Sequence, residues 1–175
     1  MKQLKFKGIK RTYDSRYGGS AQKGHRKTGR PFVPKLPMHF IFKSTKAKGA
    51  LSMRHHSKRA KVDARIYTLA RKNHVQILKY ANAGNHLHIL LKSHSRDHLT
   101  KFLRLAAGQI AQLMTGAKKG IKFGKYWSEL AWSRLVQPGK ALVAIKRYLQ
   151  LNQLEALALE SGYKIIRWNH IAGSG

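Results

Sequence analysis

Two histidines one residue apart, His86 and His88, stand inside an apolar run of Leu87, Ile89, Leu90 and Leu91 that follows Ala83-Gly84-Asn85. On a strand, residues two apart project from the same face, so the two imidazoles stand side by side while Leu87, Ile89 and Leu91 point into a core. That is a metal-ligand arrangement on a rigid element. Two ordinary strand histidines have the same spacing, and the pair alone favours that plainer reading. A second group lies about sixty residues further on, where Tyr148 and Asn152 are four apart and share one helix face, with Glu155 about one turn beyond. Taken alone, this tyrosine is an ordinary amphipathic residue. The chain has no cysteine, which excludes disulfides, thiolate zinc sites and cysteine nucleophiles and leaves any metal to His, Asn, Gln or carboxylates.

Charge narrows the partner. The 175 residues carry 36 Lys and Arg against 6 Asp and Glu, a formal net charge of +30, far beyond what solubility requires. A polyanion is the economical explanation, because each phosphate neutralised releases a counterion and the surplus steers association. An anionic membrane is the competing partner. No apolar run reaches transmembrane length and nothing at the N-terminus resembles a signal peptide, so the expectation is a soluble, cytoplasmic, nucleoid-associated protein with no membrane role.

These residues need elements to hold them. Residues 1–34 read as a basic, glycine-interleaved arm with too little apolar content to fold alone, and residues 35–175 as one domain with a single core. Lys23, Arg26, Lys27 and Arg30 suit an arm laid along a phosphate backbone, with Tyr13 and Tyr17 available to stack on bases; a merely solvated charged tail is the plainer alternative. Met38 to Ser44 reads as a first strand, in which His39 is structural. Helical spacing of Val62, Ile66, Leu69 and Ala70 predicts an amphipathic helix from about Met53 to Asn73. His74 to Ala81 is a second strand, joined to the His86/His88 strand by a glycine-containing break that suggests an antiparallel hairpin. Ser95 is the expected N-cap of a second helix running to Met114. Lys122 to Val136 suits a strand or ribbon with aromatics beside positive charge. There Arg134 and Lys125, with Arg104 on the helix before, are phosphate-contact candidates, and Trp127 and Trp132 either stack on bases or, more in keeping with tryptophan, pack in the core. A third helix spans about Lys140 to Ser161 on Leu142, Ile145 and Leu149. The order strand, helix, strand, strand, helix, strand predicts an α+β fold, a ferredoxin-like split βαβ antiparallel sheet with helices on one face and an extra C-terminal helix carrying Tyr148.

With these elements in place the chain resembles the single-tyrosine transposases of the insertion-sequence 200/605 type and the related proteins associated with repeated extragenic palindromes, members of the HUH nuclease superfamily. The resemblance rests on His86-Leu87-His88 preceded by Asn85, on the Trp-Ser-Arg stretch at Trp132–Arg134, and on Tyr148-x-x-x-Asn152, and it spans roughly residues 36 to 160. It implies a metal-dependent nuclease that cuts single-stranded DNA, often at hairpins, and joins itself to the new end through a 5′-phosphotyrosine. Tyr148 is then the nucleophile, and His86, His88 and Asn152 hold Mg²⁺ or Mn²⁺, with Glu155 the alternative third ligand. Many relatives act as homodimers in which the tyrosine helix completes the partner's site. Gln153 and Leu154 depart from the proline often found soon after the Asn152 position, and the basic arm lies outside the resemblance. Two other classes stay open on residues alone: an inactive or domesticated DNA-binding module, and an RNA-binding protein on the same sheet.

Overall fold

The computed structural model describes residues 16–22, 29–118 and 123–160. Their strands are β1 (Arg16–Tyr17), β2 (Met38–Lys43), β3 (Val75–Asn82), β4 (His86–Ser93) and β5 (Trp132–Leu135), and their helices are α1 (Arg59–Lys72), α2 (Arg96–Thr115) and α3 (Lys140–Glu160). The five strands form one antiparallel sheet in the order β1-β5-β2-β4-β3. Setting β1 aside, that is the strand order of the split βαβ, ferredoxin-like sheet expected from the sequence.

Alternation along the strands gives the sheet two working faces. Phe40 and Phe42 of β2 and Leu87, Ile89 and Leu91 of β4 are buried against Val62, Ile66 and Leu69 of α1 and Leu99, Phe102, Ala106 and Ile110 of α2. On the opposite face, Leu90 packs with Ile145 and Leu149 of α3 and with Val136. On that second face His39 stands opposite Leu90, Ile41 opposite His88 and Lys43 opposite His86. Helix α2 begins at the expected cap, where Ser95 Oγ accepts from the Asp97 N–H, and ends at Gly116 in the left-handed conformation.

The structure differs from the sequence reading in three elements. Met53–Lys58 is not helical, because its polar backbone groups are engaged elsewhere: the Met53 N–H donates to the Gly84 carbonyl at 2.9 Å, and Asn82 Nδ2 donates to the Met53 carbonyl at 2.9 Å. Both bonds tie this segment to the β3–β4 turn. Gly84 itself has φ +88°, and a Cβ there would lie 2.9 Å from Ser52 Oγ, so the turn needs glycine. The described residues of the Lys122–Val136 stretch, Phe123 onward, hold only a four-residue strand. Tyr126 and Trp127 before it both face the helical layer, with the Tyr126 hydroxyl donating to the Leu51 carbonyl and Trp127 Nε1 to the Ala107 carbonyl; consecutive residues of a strand would face opposite ways. Finally, part of the expected arm is built into the sheet, since Arg16 and Tyr17 pair with Arg134 and Ser133.

Candidate active site

His86 and His88 stand together on β4, ring centroids 4.6 Å apart and nearly perpendicular. Tyr148 comes to them from α3, its ring edge-on to His88 at 5.6 Å. The stripe Leu142, Ile145 and Leu149 seats this helix on the sheet, and Asn152 and Ala156 continue it as buried positions. Tyr148 flanks that stripe and stays 43% exposed, open to a large substrate. Asn152 donates through Nδ2 to the Tyr148 carbonyl at 2.8 Å, which leaves its oxygen as the acceptor end of the amide.

Each histidine has a partner at Nδ1. Asn85 Oδ1 lies 2.6 Å from His86 Nδ1 and can only accept, so His86 donates there and its Nε2 bears the lone pair. His88 Nδ1 lies 3.0 Å from Nε2 of His39 on the neighbouring strand, within a stacked pair of rings 5.2 Å apart. Trp132 of β5 closes the other side of His39, edge-on at 5.7 Å. His39 and His88 are almost wholly buried, and neither His88 Nε2 nor His39 Nδ1 has a hydrogen-bond partner among the described residues. A buried nitrogen left this way costs roughly 1–3 kcal/mol, which a bound group accepting contact at that atom would offset.

Electrostatics keep all three rings neutral. Burial, helped by the neighbouring His86 and His39, lowers the pKa of His88 to about 3. Burial and then Arg134 lower that of His39 to about 4. His86 is lowered by burial and by Lys43. Neutral imidazoles offer lone pairs, the form that ligates metals. Among the described residues no three His, Cys, Asp or Glu side chains converge on one metal position, so Glu155 does not complete a three-donor set with the two histidines.

The sequence-predicted nucleic-acid contacts fall in different places. Arg134 is exposed on the histidine face, opposite Arg16 on β1. Arg104 and Lys125 are exposed on the helical side. Trp127 packs against Phe42 and Tyr126, the core role that suited it better. Arg30 differs from its reading as a surface phosphate contact. Its guanidinium is partly buried, donates to Ser133 Oγ and to the Ala131 carbonyl, and lies over the Tyr17 and Phe40 rings. Burial lowers its pKa to about 10, and the side chain works as a wedge that holds β1 and β5 to the core. Lys23, Arg26, Lys27 and Tyr13 lie outside the described residues. His39, read from sequence as structural, lies within hydrogen-bond distance of His88 on the same face of the sheet.

Residues 32–150 match the family model described as transposase, IS200 like. The chain belongs to the IS200-like transposase family. Among solved structures, it is similar to a tyrosine transposase associated with repeated extragenic palindromes, solved bound to such a palindrome's hairpin. The TM-score is 0.54 at 11% identity, covering 79% of this chain and 76% of that one. It is also similar to a candidate transposase from Deinococcus radiodurans R1, with a TM-score of 0.43, 16% identity and coverage of 73% and 98%. No curated protein matches the sequence. Among the described residues no helix is long and apolar enough to cross a membrane.

Proposed function

We propose that this transposase is a single-tyrosine nuclease and strand transferase for single-stranded DNA, with Tyr148 as nucleophile and His86, His88 and Asn152 as the holders of a divalent ion. The observation that carries this reading is that both Nδ1 atoms beneath the tyrosine have hydrogen-bond partners, Asn85 Oδ1 for His86 and His39 Nε2 for His88. Metal-binding histidines characteristically donate the ring N–H that does not face the metal, and His86 does so to Asn85. For His88 the same role falls to His39. A hydrogen bond between two neutral imidazoles needs one N–H and one lone pair, so with His39 accepting, the unpaired Nε2 of His88 is left as a ligand atom. Two imidazoles with one amide oxygen fit Mn²⁺ or Mg²⁺, the imidazoles favouring the former.

In this reading the Tyr148 oxygen attacks a DNA phosphorus, an Oη–P bond forms and the P–O3′ bond breaks. The phenolic proton is lost and the departing 3′ oxygen gains one. The products are a 5′-phosphotyrosine and a free 3′-hydroxyl. Because the phosphodiester energy is kept in the covalent link, a second 3′-hydroxyl reverses the step and joins strands without ATP. A bound divalent ion would supply polarisation of the scissile phosphate and stabilisation of the leaving oxygen. The neighbouring Arg147 and Lys146 are exposed and add positive charge for the DNA phosphates. The hairpin carried by the similar solved transposase suggests hairpin-bearing DNA as substrate, and a homodimer is compatible with the exposed Val143, Leu151 and Leu154 of α3.

Replacing His86 by Ala separates the parts of this proposal. Cleavage of a hairpin-bearing single strand should fall by at least about a hundredfold, as for loss of a catalytic metal ligand, while binding measured by fluorescence anisotropy changes little, since phosphate contacts dominate affinity. Equal loss of both contradicts the metal assignment.

A further inference from the structure

A second pair of imidazoles from different elements meets at the far end of the β3–β4 pair. His74 precedes β3 and His98 lies in the first turn of α2, and their ring centroids are 5.1 Å apart with planes tilted by 39°. Val75 pairs with Ser93 at this end, whereas His86 stands at the other, beside the turn that follows Asn82. The two pairs are therefore separate sites.

The backbone holds His74 in an unusual state. Helix α1 ends at Lys72 with Asn73 as its C-cap, so His74 takes the next position, where glycine is the common residue. Its φ is +51°, and only one other non-glycine residue among those described, Lys35, has a positive φ. The turn is closed on both sides. The His74 N–H donates to the Arg71 carbonyl at 3.2 Å, and the buried Asn73 donates through Nδ2 to the Leu69 carbonyl at 2.7 Å. His98 is fixed by its own helix, which is capped at Ser95 and anchored in the core by Leu99. His74 is exposed and His98 half-buried, so an ion from solvent can reach them.

A side chain in the left-handed region costs energy that glycine avoids, and a contact between two partly solvated rings returns little of it. Chelation returns more. An imidazole nitrogen binds Zn²⁺ at about 2.0–2.1 Å, so two rings on one tetrahedral ion have centres about 5 Å apart. We infer that His74 and His98 form a zinc site, distinct from the nuclease centre, in which each ring gives one nitrogen and water fills the remaining positions. Among the described residues no third His, Cys, Asp or Glu completes the set, which makes the site an open one. Imidazoles without a carboxylate suit Zn²⁺ and disfavour Mg²⁺. A bound ion ties the start of β3 to the start of α2, and the inference does not depend on the reading of Tyr148.

The test titrates the full chain with ZnCl₂ in excess Mg²⁺, using His86→Ala as the parent so that the other histidine pair is broken. Imidazole ¹H–¹⁵N spectra and thermal melting are read together. The resonances of His74 and His98 should shift together over the first equivalent, and the melting midpoint should rise by about 5–10 °C at a hundred times the dissociation constant. His74→Gly removes one ligand at a position that suits glycine, so the metal-free fold is kept while the zinc-dependent rise disappears. His98→Gln should abolish the rise in the same way. A rise that survives in both variants, a shift of only one of the two rings, or no response up to millimolar Zn²⁺ overturns the site.

Discussion

His39 shows how much of a site depends on one unannounced neighbour. It is not one of the proposed ligands, yet its Nε2 lies 3.0 Å from His88 Nδ1 and, in the proposed site, accepts from it. Removing it leaves His88 free to adopt the other tautomer and to rotate. His39→Ala should therefore lower Mn²⁺ affinity by about ten- to a hundredfold, the usual effect of losing such a partner, as read by electron paramagnetic resonance titration of the ion without DNA. His39→Gln retains an acceptor oxygen and should recover part of that loss. Unchanged Mn²⁺ affinity in His39→Ala would contradict the positioning role. From the sequence, the pair His86 and His88 and the spacing of Tyr148 to Asn152 were legible because both periodicities are local. The partner was not, since His39 and His88 are 49 positions apart and meet only through strand pairing.

At the scale of elements, the histidine-bearing strand is held by its turn. Gly84 with φ +88° and the bonds of Asn82 and Met53 fix how β4 leaves β3. The Ser44 N–H also donates to the Asn85 carbonyl at 2.9 Å, anchoring the residue that orients His86. Gly84→Ala places a side chain in a left-handed conformation against Ser52 and should cost about 1–3 kcal/mol of stability. The check is chemical denaturation, and an unchanged midpoint would remove the turn from the account. The sequence reading placed the hairpin correctly from its glycine-containing break. It extended α1 too far towards Met53, because residue types alone do not show that the Met53 backbone bonds to a distant turn. Strand β1 was invisible for a related reason: Arg16 and Tyr17 lie in a charged, glycine-rich stretch with no alternating pattern, and the free edge of β5 decides their pairing.

Over the whole molecule, charge and fold divide the work. The ferredoxin-like sheet sets Tyr148 and the histidines on one face, while the +30 charge is spread well beyond them. Binding should therefore be steeply salt-dependent. If six to ten phosphates are contacted, affinity for single-stranded DNA should fall by about three to five orders of magnitude between 50 and 200 mM salt, somewhat less steeply than for duplex. A flat salt response by anisotropy would mean that the basic surplus serves another purpose. The polyanionic partner was readable from composition alone. Which face each cation occupies was not, as Arg30 shows by turning inward where its neighbours in sequence suggested a phosphate contact.

The central claim is that Tyr148 becomes covalently linked to DNA above the histidine pair. The most direct measurement is incubation of the protein with 3′-labelled, hairpin-bearing single-stranded DNA and Mg²⁺ or Mn²⁺, followed by denaturing electrophoresis and peptide mass spectrometry. The expected result is a labelled adduct that requires the ion, maps to Tyr148 and disappears in Tyr148→Phe. An adduct that persists in Tyr148→Phe, or tight salt-sensitive binding with no adduct on any hairpin substrate, would contradict it and favour a DNA-binding protein that has kept the fold without the chemistry.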